Sequence, residues 1–442
     1  VRKTIDSDYQ LRLSPSSDNK YIAYEYPTNL KSNNYDIHLL SINSNYETVL
    51  TNHPASDRLL GWMPGSNKVL FTSNRSGSWD LWSVQVENGK LLGLPVRILP
   101  EIGEISPLGF TKDGSLYYSI FSRMFTGLIT SFNMETGIAG QMESKRSIPG
   151  SVNFVEWSPD GESVAYGKEE KRPDDYFCKL CVQDLTTGTE RCFDENFRLY
   201  NNSIRWNSDN QTILAVGYDE TKRGQKNYFG GIYSFDTKTG QMNEILLLKG
   251  IENDINPLYV AVAEWSSDAK SIFYVSYSLD GDQTENRITK YVLKTGEEKV
   301  IYKGKNLKRI LRLSPTSDNL LFAYVNPENK EVHICTIPAE GGEVLEICTS
   351  QETDRLSTAA WFPDGKSIFF AETPTLDYSK LWRVYSDGGK PQYVCQLPHL
   401  DVCLSIHPSG QKVALTYGEQ TTEIRKIENL EQGLNNIYSQ NE

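Results

Sequence analysis

Apolar residues along this chain fall into short alternating runs, and the runs come in pairs around a polar turn. The copies read LRLSPSSDNKYIAY from Leu11, LGWMPGSNKVLFT from Leu60 and LGFTKDGSLYYS from Leu108. They continue as VEWSPDGESVAY from Val155, IRWNSDNQTILAV from Ile204 and AEWSSDAKSIFYV from Ala263. The last are LRLSPTSDNLLFAY from Leu311, AAWFPDGKSIFF from Ala359 and LSIHPSGQKVALT from Leu404. The period is that of a strand, whose side chains alternate between two faces. The turns rest on Ser-Pro or Asp-Gly, residues that preset φ or tolerate positive φ. Taking Pro15, Pro64, Lys112, Pro159, Ser208, Ser267, Pro315, Pro363 and Pro408 as markers, the intervals are 49, 48, 47, 49, 59, 48, 48 and 45 residues. The long interval marks an insertion in the fifth unit, placed at the Gly-rich stretch Glu220 to Gly231.

Each unit has a second half, such as WDLWSVQVENGK or NRITKYVLKTGEEKVIY, in which two more runs flank a Gly-containing turn. Four short antiparallel strands repeated every ~48 residues predict the blades of a β-propeller. No unit holds a ten-residue stretch of helical period. The spacing predicts one closed propeller of nine blades over residues 1–442, with eight as the alternative count. Val1 to Ile5 would supply the strand missing from the last unit, and residues 428–442 would form a loosely ordered tail. Trp62, Trp157, Trp206, Trp265 and Trp361 stand two residues before the turn marker. Phe110 fills that slot in the third unit, and Leu13, Leu313 and Ile406 fill it elsewhere. A large apolar residue at one fixed place per unit is what packing between blades requires. Trp79, beside Asp80 in SNRSGSWDLW, falls outside that slot and is expected at an exposed loop edge.

Two copies carry a more specific signature: WSPDG at Trp157 to Gly161 and WFPDG at Trp361 to Gly365. With them, and with FTSNRSGSWDLW from Phe71, the repeat resembles the TolB-like (WD-related) β-propeller family from about Leu11 to Ile427. WNSDN and WSSDA, in the fifth and sixth units, depart from the pattern by losing Pro and Gly. The resemblance implies the fold, and a role as a periplasmic or cell-envelope interaction module or as the sensor half of a larger regulator. Some propellers of the broader class are lyases acting on uronic-acid sugars through a metal held by several His.

Composition narrows the function. Lys and Arg number 45 against 57 Asp and Glu, a formal charge of −12. That balance argues against a nucleic-acid partner, whose phosphates need a basic face. No apolar run approaches the ~18–20 residues of a membrane helix, so no membrane insertion is expected. The opening VRKTIDSDYQ holds no apolar leader core, and its initial Val reads as a mature or trimmed start. Seven Cys leave at least one thiol unpaired. Cys178, Cys181 and Cys192 read as plain strand thiols, since CKLC lacks the second pair of a zinc site. Cys335 and Cys348 flank Gly341-Gly342, where a hairpin would set them opposite each other as two buried thiols or a disulfide.

Candidate chemistry is sparse. There is no G-x-S-x-G elbow and no His pair of metal-binding spacing among His38, His53, His333, His399 and His407. The acidic stretch GDQTE after Asp280 lacks the spacing of a calcium loop. No catalytic residue, metal or cofactor is assigned. His407 reads as a turn residue, His38 and His333 as structural, and His53 in TNHPASDR as the best exposed candidate. Loops between blades are expected to line one mouth of the channel. Asp57-Arg58 and Asp354-Arg355 recur there at equivalent places, either as braces between blades or as a polar ring that binds a peptide or sugar. The insertion brings Lys222, Arg223, Tyr228 and Phe229, basic and aromatic in an acidic chain, as a partner-contacting loop would. The reading is a non-enzymatic scaffold for a protein or peptide partner. The alternative is a lyase or hydrolase acting on oligosaccharide at the channel mouth.

Overall fold

The structure is a computed structural model that describes residues 11–28, 34–44, 46–131, 146–172, 175–222, 225, 228–249, 259–277, 286–350, 356–374, 378–398 and 400–430. Its elements are strands, apart from one short 3-10 turn at Glu220–Lys222. Seven sheets hold four consecutive antiparallel strands each. The eighth is composite: the long strands Leu116–Ser131 and Lys412–Ile427 lie side by side, flanked by Arg146–Ile148 and Leu400–Ile406, with Ser106–Phe110 also paired to the first. The all-β propeller architecture of four-stranded repeats therefore stands, and all nine leading hairpins form.

The sheets group into two compact units. One comprises Met124–Glu170 and Tyr176–Glu419. Its innermost strands are Ser151–Trp157, Phe197–Trp206, Tyr259–Trp265, Leu307–Leu313, Leu356–Trp361 and Leu400–Ile406, and each touches the next, the last touching the first. This is a closed ring of six blades. The sixth blade is shared: Leu400–Ile406 and the first half of Lys412–Ile427 form its inner part, while the second half of Leu116–Ser131 and Arg146–Ile148 form its outer part. The other unit, Val1–Arg123 with Lys171–Asp175 and Gln420–Glu442, holds the first two four-stranded sheets and the remaining halves of the two long strands with Ser106–Phe110. The nine repeats do not form the expected single ring, because the third and the ninth share their long strands and close six blades on themselves. Val1 to Ile5 lie outside the described residues, and the strands completing the last unit come from the third.

Six apolar cores fill the six junctions of the ring, one per blade pair. The last, with Ile129, Ile148, Val155, Tyr166 and Ala414, seals the sixth blade to the first. Each fully buried large side chain contributes ~1.5–3 kcal/mol. Trp157, Trp206, Trp265 and Trp361 belong to these cores and Trp62 to a core of the other unit, as expected, and three of them also staple blades together. Trp206 Nε1 donates to Glu156 O at 3.3 Å, Trp265 Nε1 to Arg205 O at 3.2 Å and Trp361 Nε1 to Arg312 O at 3.3 Å.

The first blade corrects one slot. Leu13 is 66% exposed, and Pro15 pairs with Ile22 as Trp157 pairs with Val164. The strand has slid by two residues because turn chemistry, not apolar spacing, sets its register. Ser16 Oγ donates to Asp18 at 2.6 Å and accepts from Tyr21 N at 3.0 Å, the same arrangement as Ser158, Asp160 and Ser163. Trp79 is also corrected: only 7% exposed, it packs inside.

The cysteines differ from expectation as well. Cys181 and Cys192 stand directly opposite in register and are disulfide-bonded, rather than plain thiols. Cys335 faces Glu346, because an irregularity in the ladder shifts Cys348 opposite Ile334. Both remain buried free thiols, each pushed up to about 12 by burial.

Candidate functional site

Side chains alternate along a strand, so a slot residue that faces a junction core leaves its predecessor facing the ring axis. In the six blades those predecessors are Glu156, Arg205, Glu264, Arg312, Ala360 and Ser405. Four charged groups thus meet where the inner strands converge. Arg205 Nε donates to Glu264 Oε2 at 3.0 Å, and its Nη1 donates to Ile204 O at 2.6 Å. Arg312 Nη1 donates to Glu156 Oε1 at 2.9 Å, across the ring from the fourth blade to the first. Arg205 also lies 3.8 Å from Glu156, and Glu264 Oε1 accepts from Trp265 N at 3.0 Å. Two positive and two negative groups balance in one largely buried cluster.

Burial dominates the electrostatics. It pushes the Glu264 carboxyl above the usual range, with Arg205 pulling the other way. It draws the Arg205 guanidinium down, helped by the like charge of Arg312. Arg312 meets the same burial, but Glu156 and Glu264 carry it above its ordinary value. Beside the network, burial holds the Cys403 thiol protonated and so weakly nucleophilic. The Ser405 hydroxyl accepts from Trp157 N at 3.1 Å, which ties the sixth blade to the first.

Above this floor lies a cavity of about 430 Å³. Trp157, Trp206 and Trp361 line it, together with the turn prolines Pro159, Pro315, Pro363 and Pro408. Two small residues, Ala360 and Ser405, complete the floor. The arrangement offers apolar and aromatic walls over a neutral floor of hydrogen-bonding groups. Among the described residues no group of three or more His, Cys, Asp or Glu side chains is placed to hold a metal ion.

The residues singled out in the sequence sit elsewhere. Asp57 is buried and accepts from Arg75 Nη2 at 2.8 Å on both oxygens. Arg58 reaches Glu25 at 3.0 Å on the neighbouring sheet and lies over the Tyr35 ring at 4.1 Å. Arg58 thus ties one sheet to the next, while Asp57 pairs within its own sheet. His53 is exposed, and its Nδ1 accepts from Ala55 N at 3.0 Å. Asp354, Arg355 and Arg223 lie outside the described residues. The insertion does fall between the second and third strands of its blade, but two of its residues fold back onto that blade. Lys222 pairs with Glu244, and Tyr228 Oη accepts from Asp219 N at 2.6 Å and lies 2.8 Å from Tyr233 Oη. Phe229 lies in the strand Tyr228–Asp236. His407 keeps its turn role, with Nδ1 accepting from Ser409 N at 3.0 Å. His38 and His333 are structural as expected: each ring stacks on a Tyr, Tyr24 or Tyr324, and pairs with Glu47 or Glu346.

The axis-facing network includes none of the loop residues that the repeat points to. Its signal is nonetheless present as Glu-Trp, Arg-Trp, Glu-Trp and Arg-Leu at successive slots, with charge at a position where a strand otherwise reads apolar.

No protein-family model matches the chain. It is 17% identical to a putative TolB from Agrobacterium tumefaciens, at a TM-score of 0.50, covering 67% of this chain and 99% of that one. TolB from Acinetobacter baumannii aligns at a TM-score of 0.43 and 15% identity, over 84% of this chain and 81% of that one. In sequence, 162 residues (35% of this chain) are 21% identical to dipeptidyl-peptidase 5 of Porphyromonas gingivalis, and they span only 21% of that protein. The chain is thus a β-propeller similar to TolB-like propellers, as its repeats imply.

Proposed function

We propose that the six-bladed ring is a binding module that takes an extended peptide segment of a protein partner in its axial cavity. The observation that carries this reading is the pairing of Trp and Pro walls with a charge-balanced floor. Aromatic walls supply large contact area, and a fixed polar floor orients a backbone passing over it. The titratable groups at the floor neutralise one another, which supports recognition over acid–base chemistry. The likeness to TolB proteins, which the resemblance places among envelope interaction modules, supports the same role and a cell-envelope setting.

The test is a displayed peptide library selected on the purified chain, followed by titration of the recovered peptides. The lining Trp side chains make intrinsic emission the readout. Peptides should shift the emission of the wild type and lose about tenfold or more in affinity on Pro315→Arg, an exposed rim position. Peptides that bind both proteins equally would move the contact off the cavity. A library that yields no binder would overturn the reading.

A further inference from the structure

In the ring, neighbouring leading turns meet directly. Asp160 N donates to Asn210 Oδ1 at 3.0 Å, Ser267 Oγ donates to Asp318 Oδ1 at 2.8 Å, and His407 Nε2 lies 3.2 Å from Gly161 O. Thr316 occupies the place a Cβ on Gly365 would need, and Phe362 that of one on Gly410. The first junction of the three-sheet unit is built differently. A Cβ added to Gly65, in the second sheet's leading turn, would meet nothing within 4 Å. The two turns stand apart, and between them lies a cavity of about 960 Å³. That is the upper end of the ~300–1,000 Å³ typical of ligand pockets.

The walls are polar on both sides. Ser16, Ser17 and Asp18 come from the first sheet, and Asn67, Gln85 and Asn88 from the second. Lys20 and Lys68 balance Asp18 and Glu87, so the cavity carries no net charge. Amides and hydroxyls both donate and accept. Trp62 lines the same space and is only 6% exposed, and its Nε1 has no hydrogen-bond partner among the described residues. In the ring the equivalent donors of Trp206, Trp265 and Trp361 are satisfied by the preceding blade, while that of Trp157, like that of Trp62, has no partner among the described residues.

We propose that this cavity binds a neutral oligosaccharide. Sugar hydroxyls are donors and acceptors at once, which suits walls that mix amide, hydroxyl, ammonium and carboxylate groups. Sugar C–H faces suit the half-buried Tyr21 ring, and the absence of net charge disfavours a strongly ionic ligand. A peptide is less suited, because the walls are turns and strand ends that present no open strand edge for backbone pairing. The lining shares no residue with the ring cavity, and the site stands or falls independently of it.

The test is a glycan array probed with the full chain, then calorimetric titration with cellohexaose, maltohexaose and chitohexaose at millimolar concentration. Three proteins are compared: wild type, Asn67→Ala/Gln85→Ala and Pro315→Arg. Neither Asn67 nor Gln85 is a core residue, so the double variant should keep the wild-type melting temperature. We expect at least one neutral glycan to bind the wild type and Pro315→Arg alike, and the double variant about tenfold or more weakly. A glycan lost with Pro315→Arg and kept by the double variant would overturn the assignment to this cavity. Binding of acidic glycans alone, or of none, would overturn the proposal.

Discussion

The six-bladed ring and the three-sheet unit are built from one repeat, yet they solve the problem of the inner strand in opposite ways. In the ring, the residue before each slot is Glu156, Arg205, Glu264, Arg312, Ala360 or Ser405. In the three-sheet unit it is Ser14, Gly61 or Gly109. A ring of six leaves an axial space, and long charged side chains fill it. Within the three-sheet unit Gly61 has no such space: a Cβ there, at φ +134, would come within 3.2 Å of Ser14 and 3.3 Å of Phe110, whereas one on Gly109 would meet nothing within 4 Å. A single position in the repeat thus reports how its strands converge. The contrast extends to covalent chemistry, since all seven cysteines, including the disulfide, fall in the ring.

The comparison can be broken most forcefully at the charges. Arg205→Met leaves Glu264 buried without its partner and should cost the ring about 3–5 kcal/mol. Arg205→Met/Glu264→Leu should recover most of that loss, measured by denaturant unfolding followed by Trp emission. If the single and double variants unfold alike, the network is not coupled as its distances imply. Reducing Cys181–Cys192, which closes a span of 11 residues, should lower ring stability by about 2–3 kcal/mol and leave the three-sheet unit unchanged. Hydrogen exchange read in each unit, with and without reductant, separates the two. Gly61→Ala should cost about 1–3 kcal/mol through positive φ and crowding, whereas Ala360→Gly at the matching place in the ring should cost about 0.5–1 kcal/mol. Equal costs would remove the steric difference on which the comparison rests.

The smallest effect is a pH dependence at one carboxylate of the ring, Asp236. Hydrogen bonds from Thr239 N, and then from Gln211, hold Asp236 down at about 2, against an ordinary 3.8. Because the folded value is depressed, the stability it confers is full above the ordinary value and disappears as pH falls toward 2. Asp236→Asn should make the acid dependence of thermal unfolding of the ring shallower over that window and leave neutral pH almost unchanged. An unaltered acid profile would place the dependence on other carboxylates.

Much of this was readable from the residues. The markers at about 48-residue intervals locate every leading hairpin, and the slot Trp residues locate the junction cores, because both depend on local alternation and turn chemistry. Ring closure was not readable. It depends on Leu116–Ser131 pairing with Lys412–Ile427, and nothing in either strand's own pattern names a partner so distant. The Leu13 slot failed for a subtler reason: LRLSP is identical at Leu11 and Leu311, but Ser16 and Asp18 take the turn in the first copy and slide the strand. The axial network was in plain sight at Glu156, Arg205, Glu264 and Arg312. Which blades meet across an axis, however, follows from how many blades there are.

The shared sixth blade also dictates an order of events during synthesis. Its outer strands leave the ribosome before any of the first five blades, and its inner strands after all of them. The early pair must therefore wait, with one edge unmatched, while five hairpin sets are added. Only when Leu400–Ile406 and the strand after it emerge can the circle be sealed. A nascent chain arrested before that point would carry an unmatched sheet edge, the kind of surface that chaperones hold and that mispairs when left alone.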